Sequence, residues 1–209
     1  SSRSSRRMGN LKSPKVLDAE GRWRGDVEDE YLWWPRILWI DPGVVSGVGC
    51  IWFDPKALLD GKPLRRSILA WHETYLYGSE NGDNGQVSRF LRMAHILAQE
   101  TGLAIGAERF TVMRVERSAA YLSPVRIRAA IEYQISISRS GPNGILVQSP
   151  GDAMTAFTDD RLKALEMYTP GPDHIRDGTR HCLLHLRRMA SLGREAFHEV
   201  HGQEEGWWE

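Results

Sequence analysis

The first strongly apolar run, residues 36–41 (RILWID), reads as a short buried strand that ends on Asp41, where Pro42 and Gly43 break it. A second run, residues 47–53 (GVGCIWF), stops at Asp54 and Pro55. After the polar excursion 60–63 (DGKP), residues 67–77 (SILAWHETYLY) alternate as a third strand. Three strands with short links predict an antiparallel meander. The period then changes from two to 3.6. Val87, Phe90, Leu91, Ala94, Leu97 and Ala98 recur on one helical face, with Asn84 as cap and Gly102 as stop. Residues 103–107 (LAIGA) form a brief apolar strand that delivers Glu108 at its carboxyl end, as a central parallel strand does. Ser123 and Pro124 predict the N-cap and first position of another helix. Its Ile127, Ala130, Ile131 and Ile135 face the core, and Gly141-Pro142 end it. Residues 145–147 give a further strand. A last helix starts near Pro172 and Asp173 and runs through Cys182, Leu183, Leu186 and Met189 to about Gly193. The predicted order is β-β-β-α-β-α-β-α.

At 209 residues the chain fits one domain with a sizeable core. The expected division is 1–34 as a basic arm and acidic stretch, 35–192 as the folded domain, and 193–209 as an acidic C-terminal tail. Hydrophobic residues make up 41% of the chain, with 20 glycines besides, which places it among globular rather than disordered sequences. There is no repeat, no apolar run long enough to cross a membrane and no secretory leader, so a soluble, non-secreted, cytoplasmic protein is expected. Cys50 and Cys182 stand in no metal or redox spacing.

The charge balance of 27 basic and 27 acidic residues excludes a uniformly basic nucleic-acid coat. The distribution is uneven. Residues 1–16 hold five basic residues and no acid, and 17–32 hold six acids against two arginines. Residues 109–139 hold six arginines against Glu116 and Glu132, and the last eighteen residues hold five glutamates against Arg194. A neutral total therefore leaves room for one basic surface.

Asp41 and Glu108 each close an apolar strand, and an unpaired carboxylate there is costly if desolvated. Turn initiation by Asp-Pro-Gly is the plain alternative for Asp41. Two acids at one sheet edge must raise a pKa or hold a cation. His174 and Asp177, three apart in the first turn of the last helix, can reach one ion, whereas local capping would explain either alone. Together the four residues make a set of oxygen donors with one imidazole. His181 and His185 continue along the same helix and read as surface or core-edge residues. His185 would lie about 16 Å from His174 along the axis, too far to share a metal.

On these residues the chain resembles the RuvC family of Holliday junction resolvases, in particular the divergent RuvC-like resolvases of bacteriophages. The matching parts are WIDPGVVSGVG, AIGAERF and DHIRDGTRHCLLHL, within about residues 36–190. The resemblance implies an RNase H-like α/β fold, a mixed five-stranded sheet with helices on both faces. It also implies a homodimeric endonuclease acting in DNA recombination and repair that nicks four-way and other branched DNA symmetrically. Carried over by position, Asp41, Glu108, His174 and Asp177 match its four metal-binding catalytic positions, with Asp173 an adjacent, weaker candidate. The expected cofactor is Mg²⁺, two ions per active site about 3.5–4 Å apart, with Mn²⁺ substituting. Asp41 would bridge them, Glu108 would hold one and Asp177 the other, and His174 would be a ligand or orient the attacking water. Cleavage should leave 5′-phosphates.

Phe110, just after the second acid, matches the family's base-wedging aromatic, with core packing as the alternative. The family often has lysines in the stretch matched here by SPGDAMTAFTDDRLKAL, where Arg161 and Lys163 are the cationic candidates. Arg109, Arg114, Arg117 and Arg126 would add sequence-independent phosphate affinity. Trp207 and Trp208 would pack on a partner or be disordered. Other readings are an RNase H, a terminase-like packaging nuclease, a sugar or acetate kinase relative, and an inactive DNA-binding module. The chain holds no P-loop, which disfavours a self-contained terminase.

Overall fold

Strand β1 (Arg36–Asp41) is covered on both faces, which is why its sequence is an unbroken apolar run rather than an alternating one. The computed structural model describes residues 34–43, 45–77, 102–110, 119–137 and 144–208, with the backbone alone at 74–77 and 119–122. The helix expected over 84–102 and the segment 1–33 lie outside the described residues.

β2 (Val45–Phe53) pairs antiparallel with β1, and β3 (Ile68–Tyr77) antiparallel with β2. β4 (Leu103–Glu108) then runs parallel to β1 on its other side, and β5 (Leu146–Gln148) parallel to β4. The result is a five-stranded mixed sheet in the order β3-β2-β1-β4-β5, with the two acid-bearing strands as neighbours at its centre.

Strand alternation divides the core. Leu38 and Ile40 share one cluster with Ile105 and with Ile127, Ile131 and Ile135 of helix α3 (Ala119–Ile137). Ile37 and Trp39 point to the opposite face. There they meet Cys182, Leu183 and Leu186 of helix α6 (Asp173–Leu192). Asp41, two residues past Trp39, belongs to the α6 face, and so does Glu108, two past Gly106 and four past Ala104. Helices thus cover both faces, as expected. Between β2 and β3 lie two short helices, α1 (Pro55–Leu59), capped by the Asp54 carboxylate on the Ala57 N–H, and α2 (Leu64–Ser67). Helices α4 (Pro150–Ala156) and α5 (Asp159–Ala164) lead from β5 toward α6.

Two expectations are corrected. Helix α3 begins at Ala119, not at Ser123, and Pro124 lies inside it. The good helix formers Ala119, Ala120 and Leu122 extend it upstream, and Pro124 forgoes one backbone hydrogen bond. Ser123 is buried and its hydroxyl has no partner, so it does not act as a cap.

Residues 194–208 are not a loose acidic tail. Helix α7 (Arg194–His201) inserts Phe197 and His201, and a 3₁₀ turn (Glu205–Trp207) inserts Trp207, into the α6 side of the core. Phe197 stacks on His201 at 4.8 Å and meets Phe53 edge-on at 6.0 Å. The glutamates occupy the solvent side of an amphipathic helix. Cys50 and Cys182 are free and buried. No described helix is long and apolar enough to cross a membrane.

Candidate metal centre

The carboxyl end of β1 and the amino end of α6 are brought together by missing side chains. Gly47 and Gly49 lie two apart on the α6 face of β2, and Gly178 faces them from the helix. A Cβ on Gly47 would fall 1.6 Å from the His174 carbonyl oxygen, and one on Gly178 would fall 2.4 Å from the Gly49 nitrogen. Helix backbone therefore rests on strand backbone. Gly47 pairs with Asp41 across the ladder, so this close approach sets His174 and Asp177 directly beside Asp41.

The four expected ligands converge. Asp41, His174 and Asp177 each offer a ligand atom, all within 4.8 Å of one another. His174 Nδ1 lies 3.1 Å from Asp41 Oδ2. Glu108 follows the last β1–β4 register pair, Ile40 with Ala107, and its carboxyl hydrogen-bonds that of Asp41. The Asp41 side chain is 13% exposed and that of His174 56%, so the cluster is buried at its base and open on the histidine side.

Burial, and then the charge of Glu108, push the Asp41 carboxyl up to about 6. Burial also raises Glu108 and Asp177 above the ordinary carboxyl range, although a hydrogen bond from Arg180 opposes the shift at Asp177. Three carboxyls that resist ionising together, with an imidazole at the open side, are a donor set suited to a hard divalent cation. Asp177 lies inside α6, whose N-cap is Pro172, so capping does not explain it. The residues present therefore fit the divalent metal expected from the sequence resemblance.

Arginines of α6 hold the site from behind. Arg180 is 5% exposed and bonds Asp177 Oδ1 at 2.5 Å, the Phe157 carbonyl at 3.1 Å, and Asp159. Arg176, also buried, bonds Asp173 and the carbonyls of Thr169 and Gly171. Asp173 is thus held by Arg176 and stands outside the metal cluster. Sequence reading missed both arginines, because buried charged residues with partners look like surface ones in a sequence.

It also placed His181 and His185 at the surface or core edge, yet they are 1% and 3% exposed. His181 adjoins the site, with Nε2 3.5 Å from Glu108 Oε2. His185 Nε2 meets His201 Nε2 at 3.0 Å, remote from the cluster as its spacing implied. The signal for His181 was present in its spacing, four residues past Asp177 on the same helix face.

The other candidates scatter. Arg109 is exposed just beyond Glu108 and its backbone N–H donates to the Gln148 carbonyl, while Phe110 beside it is half-buried. Arg126 is exposed on α3. Arg161 donates to the Ala156 carbonyl and, with Arg187 and Arg188, lines a surface cavity of about 880 Å³. Lys163 pairs with Asp160 and sits over the Tyr168 ring. Arg114 and Arg117 lie outside the described residues.

No family model matches the sequence, and no curated protein does. Among solved structures, RuvC of Thermus thermophilus superposes with a TM-score of 0.50 at 16% identity, over 78% of this chain and 94% of that one. The fold is the RNase H-like α/β fold of RuvC. A second match is T. thermophilus RuvC in complex with Holliday junction substrate, with a TM-score of 0.49 and 14% identity over the same shares. At these identities the RuvC likeness is one of fold, and the chemistry rests on the residues of this chain.

Proposed function

We propose that the chain is a divalent-metal-dependent endodeoxyribonuclease of RuvC-like type, resolving four-way and other branched DNA by paired nicks as a homodimer. The observation that carries this is the convergence of Asp41, His174 and Asp177 within 4.8 Å, with Glu108 against Asp41, at the edge of a RuvC-like sheet. Like-charged, half-desolvated carboxyls are the arrangement that phosphodiester hydrolysis with divalent ions requires, and a binding module has no use for it.

Asp41 sits between Glu108 on one side and Asp177 and His174 on the other, so it would bridge two metals, Mg²⁺ with Mn²⁺ as substitute. Glu108 would complete one set and Asp177 the other. When bound, such ions lower the pKa of a water and stabilise charge on the leaving 3′ oxygen, which leaves 5′-phosphate ends. His174, on the open side, is placed to ligate or to orient the attacking water. The α6 backbone on Gly47 and the Arg180 bond keep Asp177 in place before substrate arrives. A two-fold enzyme suits a two-fold junction. Arg109 and Phe110, next in sequence to Glu108, would face the DNA.

Cleavage of end-labelled four-way junction, fork, flap, linear duplex and RNA–DNA hybrid, with Mg²⁺, Mn²⁺ or EDTA, tests this beside Asp41→Asn. Symmetric metal-dependent junction nicks are expected. Asp41→Asn should abolish them and keep junction binding. Activity retained in that variant would remove the metal site, and preferential cutting of hybrid or linear duplex would move the chain to another RNase H-like nuclease.

A further inference from the structure

Glu108 comes from a strand end, where only one neighbour in the sheet lies beyond it. That neighbour is Gln148, its register partner on β5, whose side chain is on the same face and whose residue is 5% exposed. Over both lies the imidazole of His181. The ring is stacked on Trp39 at 4.9 Å with planes 7° apart, so its plane is fixed in the slot. Its Nδ1 is 2.9 Å from Gln148 Oε1 and its Nε2 3.5 Å from Glu108 Oε2.

We infer that His181 is a positioning residue for Glu108: Gln148 and Trp39 fix the ring, and ring Nε2 fixes the carboxylate. The inference rests on the metal-site reading above and assigns a residue to its support. An amide can turn either its oxygen or its nitrogen to a neighbour. The structure sets Gln148 Oε1 toward Nδ1; a half-turn of the amide presents its nitrogen instead, and the single ring proton then lies on Nε2, aimed at Glu108. The last torsion of a glutamate is soft, so the remaining gap closes by rotation of the carboxylate. Without the ring, that same softness leaves Glu108 free to turn away from Asp41. Partners of this kind behind a metal ligand typically govern affinity by about 10–100-fold.

Mn²⁺ titration of the metal-stripped full chain, by calorimetry or by loss of the free-ion paramagnetic signal, tests the assignment without relying on cleavage. His181→Gln places an amide nitrogen near the position of Nε2, whereas His181→Asn places one near Nδ1 and leaves Glu108 unsupported. Both lose the Trp39 stack, so a packing role would weaken them alike. The expected order is wild type and His181→Gln within about threefold of each other, with His181→Asn weaker by about tenfold or more. Gln148→Leu keeps the stack but frees the ring, and it should weaken Mn²⁺ in the same direction. It serves as the second variant if His181→Asn does not fold. Equal affinities for His181→Gln and His181→Asn, or no loss in Gln148→Leu, overturn the inference. Asp41→Asn in the same titration separates the two levels. If it binds as wild type does, or if wild type binds nothing, the metal site fails and the inference with it. If it alone loses binding, only the role of His181 fails.

Discussion

Replacing Gly47 by alanine adds one methyl group at the tightest contact found for any glycine among the described residues. The new Cβ would lie 1.6 Å from the His174 carbonyl oxygen and 2.7 Å from its carbon, where real Cβ atoms keep at least 3.0 Å. The deficit of 3.0 less 1.6, or 1.4 Å, has to be met by backbone on both sides, because neither contact is a flexible side chain. The sheet is held by four ladders, so the first turn of α6 is the part that yields. His174 Nδ1 now lies 3.1 Å from Asp41 Oδ2, and catalytic constellations tolerate only about 0.5 Å of displacement. A misplacement of about 1 Å costs on the order of 100-fold in rate, and overpacking costs about 1–3 kcal/mol in stability. Gly47→Ala is therefore expected to lose both Mn²⁺ affinity and cleavage, and to unfold at lower urea. Gly151→Ala is the control, since a Cβ there meets nothing within 4 Å. It should stay within about 0.5 kcal/mol of wild type. A Gly47→Ala protein with unchanged midpoint and unchanged Mn²⁺ affinity would refute the backbone-to-backbone seating of α6 on β2.

Other perturbations probe the rest of the framework. Phe197→Ala should cost about 3–5 kcal/mol in urea unfolding, because the ring is fully buried against Phe53 and His201, and a loss under about 1 kcal/mol would mean that α7 is not docked. Burial holds the folded pKa of His201 down at about 4, whereas the unfolded chain takes up a proton near pH 6.5. Its share of stability is thus present above pH 6.5 and lost as pH falls toward 4. His201→Phe should flatten the measured slope by up to about 1.4 kcal/mol per pH unit, and an unchanged slope would contradict the buried neutral ring. Glu73 has the opposite sign. Burial raises its carboxyl from 4.5 to about 7, so the folded state holds this proton more tightly and stability falls as pH rises across that window. Glu73→Gln should remove that fall, by about 1–3 kcal/mol at pH 8, and a variant less stable than wild type at pH 8 would show that Arg176 and Arg180 need the charge.

Asp41 and Glu108 were legible because each closes a buried strand of the same sheet. His174 and Asp177 were legible because a helix turn puts positions three apart together. What stayed hidden depends on neighbours that no local pattern encodes. Pro124 read as a helix start because first-position proline is common, and the stronger pull of the alanines upstream decided otherwise. Gly47 and Gly49 lie within the second apolar run, and glycine twice on one strand face is the signature of another backbone lying close. Residues 194–208 read as a tail by charge, while the spacing of Phe197, Val200 and His201 already described an amphipathic helix.

A single rigid body, α6, links the core to the chemistry. Its carboxyl half buries Leu183, Leu186 and Met189, while its amino half carries His174, Asp177, Arg180 and His181. The position of the ligands is therefore inherited from the core rather than from a loop. The arrangement has an electrostatic cost, since burial and crowding push all three carboxyls toward their protonated forms. Arg180 relieves only Asp177, and it does so from the buried side. Asp41 and Glu108 are left sharing a hydrogen bond, where a divalent cation would offset both charges at once. Rigidity supplied from below and charge left uncompensated above are the two properties a hydrolytic metal site needs. In this chain, both follow from where three glycines allow one helix to sit.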